Sequence, residues 1–430
     1  MHWNSERFWS FFRNKDTRKL AFNFANYGVF QTINYLIPLI TLPYIIRVIG
    51  VNYFGVLSFA QAVIYYLSTI VEYGFTITGV QLIAQYKNDR QKQSEIISAI
   101  FTIQTGFMLI GLLCLIIASG CFHEVQEYYW VYLFSFLILP AQILQALWFY
   151  IGAEEMHFLN FVNLVGRTLY TVSIFIFVRQ ETDYVLVPLL NGLAMLIAGI
   201  ISIVFILKKF RVRLHLVGIT NIRAYLQTGW HLFISNLAIN LYRNSNVLIL
   251  GLVANKEAVG IYSAGEKLIK ALQSIFAPLT QTVFPYISRL RVNFPAKSIK
   301  SIGILLKYMI ILTGIVTILV IAFSKPLTIL FLGTEMQVAN AIVKIGAVVI
   351  IFGVINYILG IIFMTNFDLK RQFSQAVFIT GIVNLILCTL LSLKFEAIGT
   401  AIAFSFAEVL LCVLLILFIQ SNRNKWAVQS

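Results

Sequence analysis

Apolar residues fill this chain in long runs separated by short polar segments. A membrane-spanning helix needs about 20 mostly apolar residues, and twelve runs meet that length. They cover residues 22–48, 53–84, 96–119, 128–150, 158–178, 185–207, 225–253, 259–288, 301–324, 338–364, 374–393 and 397–420. Several exceed the minimum, which predicts tilt or extension past the bilayer. Pro38 and Pro43 in the first run, and Pro278 and Pro285 in the eighth, predict bends, because proline frees a carbonyl that a neighbour or a wet cavity must satisfy. The expected fold class is an all-α polytopic membrane protein with twelve transmembrane helices.

Charge then sets the orientation. With the N-terminus on the cytoplasmic side, the cytoplasmic segments hold 21 Lys and Arg, and the outer loops hold four: Arg179, Lys256, Lys325 and Lys394. Positive charge marks the cytoplasmic side, so both termini are expected there. The outer loops are too short to hold a soluble domain. Residues 1–21 form a basic cytoplasmic segment with early aromatics, expected to lie on the inner leaflet, and nothing in them reads as a cleaved secretory leader.

The basic segment 208–224 divides the chain into a lobe of six spans at 22–207 and a second at 225–420, with a cytoplasmic tail at 421–430. A faint repeat matches that division. Gly55-Val-Leu-Ser58 and Gly260-Ile-Tyr-Ser263 each follow a short outer loop and open a long helix. At the same offset of 205 residues, Ile64, Leu67 and Ile70 correspond to Ile269, Leu272 and Ile275. Two parallel six-helix lobes are a transporter plan in which one rocks against the other.

Polar positions recur at helical spacing within three runs. The first carries Asn23, Asn26, Asn34, Pro38 and Thr41. The seventh carries Asn236, Asn240 and Arg243. The eighth carries Ser263, Lys267, Lys270, Ser274, Pro278 and Gln281. Each set shares one helix face, and such a face loses several kcal/mol against lipid. It either lines a central cavity or makes hydrogen bonds between helices.

Seven cations lie inside the runs: Arg47, Arg167, Arg243, Lys267, Lys270, Lys307 and Lys344. Each costs about 2.5–3.5 kcal/mol at a helix centre, so most should face water, a counter-ion or an anionic cargo. Lys307 can snorkel from a helix end. Lys344 lies near an outer end, Arg47 can anchor at the interface, and Lys270 can pair with Glu266. Arg47, Arg167, Arg243 and Lys267 are the leading candidates for contact with an anionic substrate, with Lys270, Lys344, Asn34 and Asn240 beside them. The acids Glu72, Glu266 and Glu408 are candidates for proton or ion coupling, or counter-ions between helices.

Hydrophobic residues make up 59% and charged residues 11% of the chain; soluble proteins carry about 25% charged residues, which excludes a water-soluble class. The net charge of +15 resides in short loops, so nucleic acid is not an expected partner. Cys114, Cys121, Cys388 and Cys412 show no metal-ligand spacing, and no cofactor or metal is expected.

The run from Ile33 to Gly50 (INYLIPLITLPYIIRVIG), followed by Tyr53-Phe-Gly55, resembles the first-span signature of bacterial polysaccharide-repeat flippases of the Wzx type. Gly260-Ile-Tyr-Ser-Ala-Gly-Glu-Lys267 and Phe284-Pro-Tyr-Ile-Ser288 resemble the eighth span of that family. The resemblance extends over essentially the whole chain. It implies the fold of the multidrug/oligosaccharidyl-lipid/polysaccharide exporter superfamily, similar to MATE transporters, in the bacterial inner membrane. The implied cargo is an undecaprenyl-pyrophosphate-linked oligosaccharide, an O-antigen or related repeat unit. Membrane lipids and the polysaccharide polymerase machinery are the implied partners. Arg47 and Lys267 fall where the family tends to keep a basic residue, whereas Arg243 stands where many relatives carry an acid.

Three other functions compete. A multidrug cation antiporter on the same fold would want carboxylates in its cavity. A peptidoglycan-precursor flippase usually carries two additional helices. A glycan polymerase or ligase commonly presents a sizeable outer loop, and the five His here do not cluster.

Overall fold

The computed structural model describes the backbone of residues 15–215 and 217–423, and side chains from residue 40 onward except 235, 238–239, 241–243, 281–282, 293 and 335. The described residues form helices and no strand. In chain order these are α1 (Lys15–Glu72), α2 (Phe75–Gln85), α3 (Arg90–Cys121), α4 (His123–Glu127), α5 (Tyr129–Phe136), α6 (Ile138–Gln145), α7 (Leu147–Gly152), α8 (Met156–Phe177) and α9 (Leu186–Lys209). There follow α10 (Ile219–Val253), α11 (Lys256–Ser274), α12 (Ala277–Asn293), α13 (Pro295–Ala322), α14 (Ser324–Leu332), α15 (Ala339–Asn356), a π-helical turn over Tyr357–Met364, and α16 (Lys370–Ser421).

Among the described residues, eight helical stretches are long and apolar enough to cross a membrane, and the chain is a multi-pass membrane protein. The first and last of the eight contain sharp backbone breaks. The first helix breaks at Gly50 (φ 74°, ψ 172°), a conformation open to glycine because it has no Cβ. The last breaks at Glu396 (φ 46°, ψ −125°). The predicted seventh and eighth runs are absent from the eight; within α10, Asn244–Val253 is a shorter apolar stretch among the described residues, and polar residues punctuate α11 and α12.

Several predicted runs are broken within. The second run turns at Tyr73 and Gly74, both at positive φ. The fourth becomes three short helices, with Ala146 left-handed at the second break. Pro140 accounts for the first, since it has no N–H to offer the carbonyl of Phe136. The eighth run breaks after Ser274, where Pro278 likewise cannot donate, so the expected bend is present. At Pro43 the backbone stays helical.

Burial separates central from peripheral helices. α15 is mostly buried, while α3 and α13 present rows of bare apolar side chains, among them Leu109, Leu113, Ile116, Ile311, Ile315 and Ile318. Apolar surface on this scale marks contact with lipid. One buried cluster draws on residues 73–212 and another on 268–415. A third combines both parts of the chain: Ile46, Ile49, Phe54 and Leu57 pack with Ala258, Val259, Tyr262 and Ile342.

Candidate functional site

The third cluster lies where α11 meets the part of α1 beyond Gly50. Contact there is between backbones. A Cβ added to Gly55 would stand 1.9 Å from the Lys256 carbonyl oxygen and 3.0 Å from the Gly260 nitrogen, and one on Gly260 would stand 2.3 Å from the Val51 carbonyl oxygen. The two glycines that open the repeated motif therefore touch each other.

One turn or two further into α11, Lys267 reaches across this junction. Its Nζ donates to Gln61 Oε1 at 3.2 Å and lies 4.7 Å from the centre of the Phe54 ring. An amide dipole and a ring face stabilise an ammonium without neutralising it. Among the described residues Lys267 forms no ion pair.

Lys270 is held differently. Its Nζ pairs with Glu266 Oε1 at 3.0 Å, one turn back on the same helix. That carboxylate, 8% exposed, also accepts from the Tyr262 hydroxyl at 3.3 Å. Tyr262 accepts in turn from Asn246 Nδ2 at 3.3 Å, and Asn246 Oδ1 accepts from Asn384 Nδ2 at 3.0 Å. The chain of polar groups crosses from α11 through α10 to α16. Buried polar groups are tolerated when each has a partner, and here the partners come from three helices.

The remaining predicted residues are dispersed. Arg47 stands just before the Gly50 break, and its Nη2 donates to the Leu330 carbonyl at 2.6 Å. Leu330 lies in the last turn of α14, where carbonyls lack helical donors. Arg47 also lines a pocket of about 320 Å³ with Val51, Leu332, Gly333, Thr334 and Met336. Asn240 ties α10 to α1: its Oδ1 accepts from the Tyr65 hydroxyl at 2.9 Å and its Nδ2 donates to Thr69 Oγ1 at 3.3 Å. Glu408 Oε2 accepts from Asn356 Nδ2 at 2.8 Å, beside the π-helical turn. Glu72 accepts from the Thr76 hydroxyl. Arg167 is half-buried on α8, and Lys344 is exposed on α15. The side chains of Asn34 and Arg243 lie outside the described residues.

The structure thus brings Lys267, Lys270 and Glu266 together and places Arg47 in a separate pocket. Reading by charge alone missed Gln61, Phe54, Tyr262, Asn246, Asn384 and Asn356. Lone amides inside apolar runs, such as Gln61 and Asn384, were the available signal.

The start of α11 adds one more link between the two parts of the chain. Lys256, at the start of α11, donates to Glu127 Oε2 at 3.0 Å and to the Tyr128 hydroxyl at 3.0 Å.

Known proteins share both sequence and fold with this chain. A protein of Escherichia coli (strain K12), provisionally named an O-antigen transporter, is 28% identical over 411 residues, covering 95% of this chain and 99% of its own. A protein of Shigella dysenteriae with the same provisional name is 28% identical over 388 residues, covering 89% and 96%. Among solved structures, an inward-facing multidrug resistance MATE family transporter of the MOP superfamily superposes with a TM-score of 0.73 at 10% identity, covering 91% of this chain and 95% of its own. The lipid II flippase MurJ in an inward closed conformation gives 0.68 at 14% identity, covering 92% and 87%. The fold is therefore that of the MATE and MurJ transporters, as expected. The model of the polysaccharide biosynthesis protein family matches residues 20–291, well over half of the sequence, and the chain belongs to that family.

Proposed function

We propose that this protein is a flippase. It moves an undecaprenyl-pyrophosphate-linked oligosaccharide repeat, an O-antigen or related surface polysaccharide unit, from the inner to the outer leaflet of the bacterial inner membrane. In this reading the chain crosses the membrane twelve times, with both termini in the cytoplasm. The breaks at Gly50 and Glu396 divide two long helices as that count requires, and the basic excess of the inner loops sets the orientation. Residues 22–207 and 225–420 act as two lobes that alternate access to a central path.

The observation that carries the proposal is Lys267. It sits at the junction of the lobes, bonded to a neutral amide, and so keeps a charge to offer. A pyrophosphate cannot cross hydrocarbon unaided, and a cation at the moving interface lowers that barrier through charge-assisted hydrogen bonds. The relatives' provisional name supports a lipid-linked glycan as cargo, and the shared MurJ fold supports a path for a polyprenyl pyrophosphate. Arg47, in its own pocket beside α14, serves as a second phosphate contact on the outer side; Arg167, Arg243 and Lys344 supply further positive charge along the path.

Glu266 suits a coupling role. A proton on it removes the counter-charge of Lys270 and leaves that ammonium free for phosphate. Glu72 and Glu408, hydrogen-bonded to Thr76 and Asn356, are the other candidates.

Deleting the gene in its native host tests the reading. Loss of surface glycan, with complete single lipid-linked repeats accumulating in the inner leaflet, is expected. Unchanged glycan together with new sensitivity to cationic dyes would replace it with a multidrug exporter.

A further inference from the structure

A second concavity lies away from the lobe junction. It has a volume of about 420 Å³ and forms where the first turns of α3 meet the segment joining α9 to α10, with Arg90, Ser94, Glu95, Arg211, Arg213 and His215 in its wall. The connecting segment is fastened in place. The Arg213 N–H donates to Ser94 Oγ at 3.2 Å, and the His215 N–H donates to Ser98 Oγ at 3.1 Å. Both serines are buried in α3, so Arg211 and Arg213 are presented beside Arg90 by a fixed backbone.

The charge in this cleft is unbalanced. Its one carboxylate, Glu95, is already engaged, with Oε2 held by Lys92 at 2.9 Å and Oε1 accepting from Asn221 Nδ2 at 3.4 Å. Arg90, Arg211 and Arg213 are exposed and form no ion pair among the described residues. The positive end of the 32-residue helix is already capped by the Asp89 carboxylate, which accepts from the Lys92 N–H at 3.0 Å, so the cleft's excess charge is that of its arginines. Exposure of three guanidinium groups in one cleft points to an anion with several oxygens, since each planar fork can engage two of them.

Position narrows the class. The cleft lies at the beginning of α3 and just past Lys208 and Lys209, which end α9. With α3 and α9 read as membrane-crossing helices, their ends fall at the depth of lipid headgroups, not of the hydrocarbon. Basic pockets at the cytoplasmic ends of spanning helices attract anionic lipids, drawn also by the negative potential of that leaflet. We propose that this cleft binds the phosphate headgroup of an anionic phospholipid of the inner leaflet. The site is distinct from the junction around Lys267. It shares with the flipping proposal only the inner-side orientation, and binding is measurable whatever the protein transports.

Native mass spectrometry of the full-length protein in detergent provides the test, with phosphatidylglycerol and phosphatidylcholine titrated separately. The wild-type protein is expected to retain phosphatidylglycerol at about tenfold lower concentration than phosphatidylcholine. The R90Q/R211Q/R213Q variant should lose that preference, and R90Q alone should lose part of it, which guards against misfolding of the triple variant. K297Q/K300Q/K370Q removes the same charge from elsewhere on the basic side and should shift it by no more than about twofold. Equal loss in the two triple variants would reduce the effect to general surface charge and overturn the site. Glycerol phosphate binding through the same arginines as tightly as the lipid would assign the cleft to a soluble phosphate ester and overturn the lipid assignment.

Discussion

Lys267 and Lys270 stand one turn apart on α11, yet one faces the junction of α11 with α1 and the other pairs with a buried carboxylate on its own helix. At the junction the cation meets an amide and an aromatic ring. Lys270 instead meets a buried carboxylate that is itself tied through Tyr262, Asn246 and Asn384 to two further helices. Both arrangements make a cation tolerable inside a membrane protein, but they leave different net charge. The Lys270 charge is balanced, and its carboxylate holds helices together. The junction group is solvated by dipoles and keeps its attraction for an anion. Charge in an apolar run is therefore a poor guide to function until its partner is known.

The junction's close backbone approach gives the sharpest way to break this comparison. A leucine at Gly55 places its Cβ within 1.9 Å of the Lys256 carbonyl, and backbone cannot move aside as a side chain can. G55L is expected to abolish glycan export, and G260L likewise, measured as surface polysaccharide in a complemented deletion strain. Full export by both would mean that this contact is dispensable to the transport cycle. K267A should come next. Losing one charge-assisted hydrogen bond to phosphate, about 1.5–3 kcal/mol, lowers export by roughly tenfold or more at unchanged protein level. K267R should restore most of it, and normal export by K267A would remove the junction cation from the mechanism.

Stability should respond in the opposite order. E266A leaves the Lys270 ammonium and the Tyr262 hydroxyl without their acceptor. Because Lys270 is 40% exposed, water recovers part of the loss, and a cost of about 1–2 kcal/mol is expected. The detergent-solubilised E266A protein should melt below the wild type, and E266A/K270A should recover part of the difference. K267A should melt close to the wild type. A larger drop for K267A than for E266A would reverse the assignment of structural and binding cations.

Much of the fold was legible because lipid demands long apolar runs, and each run left its mark in the sequence. The breaks were less so. Pro278 announced the interruption after Ser274, but the kink at Tyr73 and Gly74 and the left-handed Ala146 depend on packing that no local pattern records. The nine-residue α14 escaped notice because it is too short to span a bilayer, yet it supplies the carbonyl that holds Arg47. The same division applies to the site. The Glu266–Lys270 pair was readable because its partners lie four residues apart, whereas Gln61 and Lys267 are separated by 206 residues. The Gly55 and Gly260 motifs were visible as an echo in the sequence. Their contact required the fold.

The smallest expected effect belongs to the link between Lys256 and Glu127, and its pH dependence has a definite sign. The Tyr128 hydroxyl and the Lys256 ammonium hold the Glu127 carboxyl below its ordinary value of 4.5. For Lys256, partial burial works to lower the pKa, but hydrogen bonds with Tyr128 and Glu127 outweigh it and raise the ammonium above 10.5. A depressed carboxyl adds stability that is fully present above its unfolded value and is lost as pH falls through the folded one. A raised ammonium adds stability that is fully present below its unfolded value and is lost as pH rises through the folded one. The link should therefore be constant between about pH 5 and 10 and weaken beyond both limits. Both side chains are more than a third exposed, which limits the pair to about 0.2–1 kcal/mol. E127Q should melt slightly below the wild type at pH 7, and the gap should close below pH 4.5. A gap that persists unchanged in acid would show that Glu127 contributes through packing, leaving the glycine contact and Lys267 as the features that join α11 to α1 here.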